Sequence, residues 1–439
     1  MKKRKIFFLA PLLLLSLASC NNSTTNDEVL KTLSFNINKK NNEATVVGLV
    51  DKTQTLVKIP EKVVVDGTSY NVTEITSSCF ASNTTIEKVI LPNSLEKIGD
   101  QAFARCTNLR YVKFGSNLTT IDNYAFDKCQ SLINVELPNS VTSLGYGAFK
   151  NCTSLVQFRL PDNLNVLKGQ TFYGDTKLKT IYANKLEKLG NGDFYNASAL
   201  SEVYYQSTDF TYEQGNDNSY FTKITPTYGA NLSTSGLGDT YYFTFDNQAH
   251  TASISGTRDL SLTDAVIPSE VTFLDQTYTV TSIYKYAFYK SNVSSVTLCD
   301  TISYLDSYSF AYSKISNFDT NKVQTVGSYA FYNCQDLKNI NYSETVTSIQ
   351  SYAMAECVSL KEVVLPLKLT SLSTGLFNND VLLDNVTIQT GVSLINSDSF
   401  KGCTAFKTLY YTGTEEQYSK IGINDSIIKA STVICNHEI

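Results

Sequence analysis

Tryptophan is absent from the 439 residues and histidine occurs only twice, as His250 and His437. Without a histidine beside a Ser or Cys in a recognisable motif, a Ser-His-Asp or Cys-His hydrolase has no base to work with. His437-Glu438 lacks the second histidine of a zinc-protease helix, and Gly236-Leu237-Gly238 lacks both the later glycine and the Lys-Ser/Thr of a phosphate loop. No Cys-x-x-Cys pair offers a zinc site. The chain is therefore expected to be no enzyme and to need no cofactor and no metal. Beyond the first twenty residues no apolar run approaches the roughly 20 needed for a membrane-spanning helix. No basic cluster follows them either, and an acidic chain repels phosphate backbones, so nucleic acid is not an expected partner.

What is present begins at the N-terminus. Lys2-Lys3-Arg4-Lys5 precedes the apolar run Ile6 to Leu17, and Leu17-Ala18-Ser19-Cys20 leads into polar Asn21-Asn22-Ser23. These are the basic, apolar and small-residue regions of an export signal. The cysteine after Leu-Ala-Ser resembles the lipobox of bacterial lipoproteins, which implies cleavage before Cys20 and lipidation of its thiol. Two acyl chains anchor stably where one does not. Loss of the four N-terminal cations with the signal takes the formal net charge from −5 to −9.

The dominant pattern is a repeat of about 23 residues. An apolar side chain recurs at Phe80, Phe103, Phe126, Phe149, Phe172 and Phe194, and again at Phe288, Phe310, Phe331, Met354, Phe377 and Phe400. Aliphatic columns keep the same register: Leu109, Leu132 and Leu155 stand six positions on, Val112, Val135 and Phe158 nine positions on. β-branched residues dominate these short segments, and the apolar spacing is not helical, so strands and tight bends are expected. One unit cannot bury its apolar face alone; stacked units can.

Units such as Ile98-Gly99-Asp100-Gln101-Ala102-Phe103 and Leu132-Ile133-Asn134-Val135-Glu136-Leu137-Pro138 resemble the BspA-like class of leucine-rich repeats, over about residues 70 to 205 and 278 to 411. The resemblance implies a curved solenoid with parallel strands on its concave side, in a bacterial surface or secreted protein that attaches to other proteins or cells. Met354 departs from the aromatic column, and the units near Phe194 and Phe310 are short.

The chain is also duplicated. Ala44, Gly48, Asp51, Pro60, Tyr70 and Phe80 each find the same residue 208 positions later, as Ala252, Gly256, Asp259, Pro268, Tyr278 and Phe288. The expected fold is thus a β-rich repeat solenoid in two tandem arrays of about six repeats, each opened by a β-rich N-terminal cap. The expected boundaries are 1–19 signal peptide, 20–32 flexible tether, 33–228 first array, 229–240 Gly/Ser/Thr-rich linker and 241–439 second array.

Six cysteines stand three positions after the aromatic column, where other units carry Asn, Asp, Ser or Ala. That tolerance suits a small side chain closing a turn and bonding to backbone. On the strands, residues flanking the buried position should point away from the core. In the first array they are charged and aromatic; in the second they are mostly small, polar and neutral. Tyr and Arg are enriched at protein-binding hot spots. The first concave face, around Tyr111, Lys113, Glu136, Gln157, Arg159, Tyr182 and Tyr204, is accordingly expected to bind an extracellular protein, as an adhesin does. A glycan ligand or glycan processing is the alternative, weakened by the missing Trp, and a structural surface spacer is a third.

Overall fold

A computed structural model describes residues 26–208 and 213–438; the expected signal peptide and Cys20 lie outside them. Most repeats contribute two short strands that pair, in parallel and in register, with the same strands of the next repeat, and at Glu136 and Val166 a single bridge stands in for one of them. One ladder runs Ile75, Ile98, Ile121, Leu144; the other pairs Val57 with Val89 and Val89 with Val112, and later Phe158 with Ile181 and Val203. The second array repeats this, from Ile283 through Leu305 and Val326 to Ile349.

The bends show why a unit cannot stand alone. In every repeat two residues take positive φ, two positions before and two after the column residue: Gln101 (54°) and Arg105 (62°) around Phe103, Tyr124 (55°) and Lys128 (60°) around Phe126. Left-handed backbone costs a side-chain-bearing residue roughly 1–2 kcal/mol. The cost is offset only across repeats, where Gln101 N donates to Asn123 O (2.8 Å), Phe103 N to Ala125 O (2.8 Å) and Arg105 N to Asp127 O (2.6 Å). Behind these bends the rings stack face to face, with centroids 5.1 Å apart from Phe103 to Phe126 and 5.2 Å from Phe126 to Phe149.

The cysteine column lies inside this stack as free thiols. Each Sγ–H donates to the carbonyl of the column residue one repeat back, as Cys106 to Phe80 O (3.2 Å), Cys129 to Phe103 O (3.2 Å) and Cys357 to Phe331 O (3.2 Å). Asp175 and Asp380 occupy the same place. Each accepts the amide N–H of the preceding cysteine, at 2.7 and 2.8 Å, while its other carboxyl oxygen is buried without a partner. Burial pushes both carboxyls well above the usual range. A group whose pKa is higher folded than unfolded contributes most stability below the unfolded value of about 3.9, and loses it as pH rises through the folded value. Asp175→Cys, which completes the thiol column, should therefore raise the melting temperature at pH 7.5 by about 2–4 °C, equivalent to about 1 kcal/mol. In a calorimetric series the gain should shrink towards pH 4; an equal gain at both pH values would rule out ionisation of Asp175 as its source.

Both caps have one topology. In the first, the hairpin Leu33–Asn38 and Glu43–Leu49 passes the sheet on to Thr68–Ile75, against which Lys62–Val65 pairs antiparallel. In the second, Tyr241–Asp246, Thr251–Thr257, Gln276–Ile283 and Glu270–Phe273 do the same, with the bulge in the equivalent place. Asn26–Thr32, expected within a flexible tether, is a helix packed on the first cap, with Val29 buried. Its counterpart 208 residues on is the one-turn helix Ser235–Leu237, packed on the equivalent strands of the second cap. The intervening linker is pinned as well: Ala230 N donates to Tyr205 O (2.9 Å), and Leu232 is fully buried in the core of the second module.

Candidate functional site

The first array's strand face is not open. The second cap and the repeat that follows it lie along it, and one outward column of strand residues, a single residue per repeat, meets them in order. Lys88 Nζ donates to the carbonyls of Tyr289 and Lys290 (both 3.2 Å). The Tyr111 ring meets Tyr242 edge-on, centroids 5.8 Å apart. Asn134 and Ser255 exchange two hydrogen bonds of 3.1 Å. Gln157 donates to Phe243 O (2.7 Å) and accepts from Phe245 N (3.4 Å). At the end of the row Asn247 donates to Glu202, whose carboxylate also takes the Thr180 hydroxyl (3.0 Å).

Ion pairs and rings close the margins. Arg258 pairs with Glu136 at 2.5 Å, and Lys290 with Glu87 at 2.9 Å. The Arg110 guanidinium sits over the rings of Tyr286 (4.4 Å) and Tyr289 (4.6 Å). Tyr182 stacks on Tyr204 (5.5 Å), meets Phe273 edge-on (5.1 Å) and belongs to the second module's core, at 2% exposure. Burial lowers Lys88 to about 8 and raises the Glu136 carboxyl despite Arg258 and Arg159 nearby. A cleft of about 260 Å³ remains at the junction, lined by Glu136, Arg159, Tyr182, Tyr242 and Phe273.

The expectation of a free binding face on the first array is corrected accordingly. Of the seven residues singled out there, Tyr111, Glu136, Gln157 and Tyr182 contact the second module directly. Tyr204 packs against that core through Tyr182, and Arg159 bonds Asp162 within its own array (3.1 Å). Lys113 and Glu136 are the exposed members of the set, Glu136 while paired with Arg258. The physical reason is ordinary: Tyr, Gln and Arg serve an intramolecular interface as well as an intermolecular one.

The equivalent face of the second array is open. Its outward residues include Asn317, Asn339, Glu362, Asn385 and Thr408 in one column and Asp319, Asn341, Val364 and Tyr410 in the other, where Thr387 is buried; the strands pair in register from Asn317 to Asn339 and from Glu362 through Asn385 to Thr408. Asn339 donates to Asn317 Oδ1 across one repeat (2.7 Å). Together with Ser343, Gln389 and Leu367, several of these residues line a trough of about 800 Å³, ended by the ring of Tyr410 stacked on His437 with centroids 4.2 Å apart. The sequence had singled out neither His437 nor Leu367 for binding; neither follows the repeat, so no column pointed to them.

The family model for the BspA type leucine rich repeat region matches in six copies, over residues 73–208, 259–382 and 315–422. No curated protein matches the chain. Among solved structures, a leucine rich repeat protein of T. pallidum is similar at 26% identity, covering 39% of this chain and 79% of its own, with a TM-score of 0.37. A leucine rich cell surface protein from Faecalibacterium prausnitzii shares 21% identity over 89% of this chain and 96% of its own, at a TM-score of 0.34. A leucine-rich repeat protein from Bacteroides ovatus shares 18% over 90% and 98%, at 0.35.

Proposed function

The chain belongs to the BspA-type leucine-rich repeat family, and on that footing we propose that it is an exported, lipid-anchored surface protein that binds an extracellular ligand through the strand face of its second array. The observation that carries this is the asymmetry between two copies of one module: the outward column from Lys88 to Gln157 on the first face is covered by its own chain, whereas the equivalent column on the second, with Asn317 and Glu362, is exposed. Lipidation at Cys20 would leave only residues 21–25 before the first helix, a reach of roughly 18 Å at full extension. The first cap would then sit at the membrane, and the two docked arrays would be held as one unit with the second face available to partners. Binding rather than catalysis fits a shallow, open trough.

The reading is tested with residues 21–439 applied to immobilised matrix proteins and oligosaccharides. Binding should be lost with Asn341→Arg and Val364→Arg, two exposed trough positions, and kept with Lys113→Ala. Loss with Lys113→Ala alone, or no binding to any surface, would overturn it. Radiolabelled fatty acid should appear on the full chain and not on Cys20→Ala.

A further inference from the structure

We propose that the trough of the second array takes a neutral oligosaccharide. The proposal rests on the reading above and names the chemistry of its ligand. Among the described residues no Lys or Arg lines the trough, and its carboxylates are Glu344 and Glu362. Sulfated or acidic polymers and nucleic acid would meet negative charge there with nothing to neutralise them. Nor does the trough have the Arg and multiple aromatic anchors that carry protein-binding hot spots.

What it offers instead is hydrogen bonding of both senses. An Asn side chain carries two N–H donors and a carbonyl acceptor, and Asn341, Asn385 and Asn339 line the trough, Asn339 with one N–H already given to Asn317; the Ser343 hydroxyl stands beside them, bonded to Thr345. A sugar hydroxyl is likewise donor and acceptor at once, so every contact can be satisfied without burying a charge. Asn341 and Asn385 stand two strands apart, with Val364 on the strand between; at about 4.8 Å per strand that is roughly 10 Å, close to the length of two pyranose rings along an extended chain. Val364 and Leu367, 46% and 55% exposed, supply an aliphatic floor for the C–H faces of such rings. The Tyr410–His437 pair is the aromatic step at the end of the trough, in a chain that has no Trp to put there. A volume of about 800 Å³ falls within the range of small-ligand clefts, 300–1,000 Å³.

The test is calorimetric titration of residues 21–439 with cellohexaose, maltohexaose and the hexamer of N-acetylglucosamine, with a heparin hexasaccharide as the charged comparison. At least one neutral hexamer should bind and heparin should not. Tyr410→Ala should weaken binding at least tenfold, Tyr410→Phe should restore it, and Asn341→Ala should weaken it several-fold, all with unchanged melting temperature. Failure of every neutral hexamer, a preference for heparin, or indifference to Tyr410→Ala and Asn341→Ala would overturn the proposal. If Asn341→Arg and Val364→Arg abolish capture by a matrix protein while no sugar binds, the sugar falls and the binding face stands; if neither class binds, both fall.

Discussion

Phe126→Ala is expected to cost the first array about 3–5 kcal/mol, the range for emptying a buried aromatic site. The ring is fully buried, stacked between Phe103 and Phe149, and met edge-on by Phe114 with centroids 6.0 Å apart. Relaxation cannot close the gap, because the flanking repeats are held at fixed spacing by the strand ladders on either side. Since the apolar cores of the two arrays are separate clusters, the damage should split the unfolding into two transitions, the first array melting before the second. Scanning calorimetry reads this directly. Phe126→Met, which places in the column a residue it already carries at Met354, should lose much less; an equal loss would place the energy in ring stacking rather than in filled volume.

Tyr182→Ala should be comparably severe, about 3–5 kcal/mol by the same reasoning, with a different symptom. Tyr182 is rooted in the first array but buried in the core of the second, against Phe273. Its loss opens the contact between modules rather than either module. Small-angle scattering should record a larger radius of gyration, and limited proteolysis should cut between residues 229 and 240, where Leu232 would lose its cover. A variant of unchanged dimensions would mean that the polar row from Lys88 to Glu202 holds the modules together without it.

The repeats were legible because one residue per turn of the solenoid does one job: Phe103, Phe126 and Phe149 all fill the same slot, so the slot's period is written in the chain. The caps were legible because Tyr70 and Tyr278, or Pro60 and Pro268, preserve one solution twice. The docking of the modules was not, since Gln157 and Phe243 or Asn134 and Ser255 are joined by no period and lie far apart in sequence. A signal did exist in the differences between the copies. Ser34, Ile37, Val47 and Val50 of the first cap stand where the second has Tyr242, Phe245, Ser255 and Arg258. Four of the second cap's contacts with the first array thus fall where the duplicates diverge, and identity between copies, which revealed the duplication, is blind to them. The helix at Asn26–Thr32 was missed for a related reason: seven residues carry too little periodicity to outweigh the polar stretch before them.

The contact between the modules joins unlike surfaces, the strand face of one copy to the cap of the next. Such head-to-tail contacts, repeated without closure, build open filaments. Here the contact is made within the chain between one copy and the next. A further module would have to dock on the second array, where Ser295, Asn317 and Glu362 stand in place of Lys88, Tyr111 and Gln157. The first cap, for its part, carries Ser34, Val47 and Val50 where the second has Tyr242, Ser255 and Arg258 to reach across. Duplication thus repeats the geometry of a head-to-tail contact, while the residues that make it differ between the two copies.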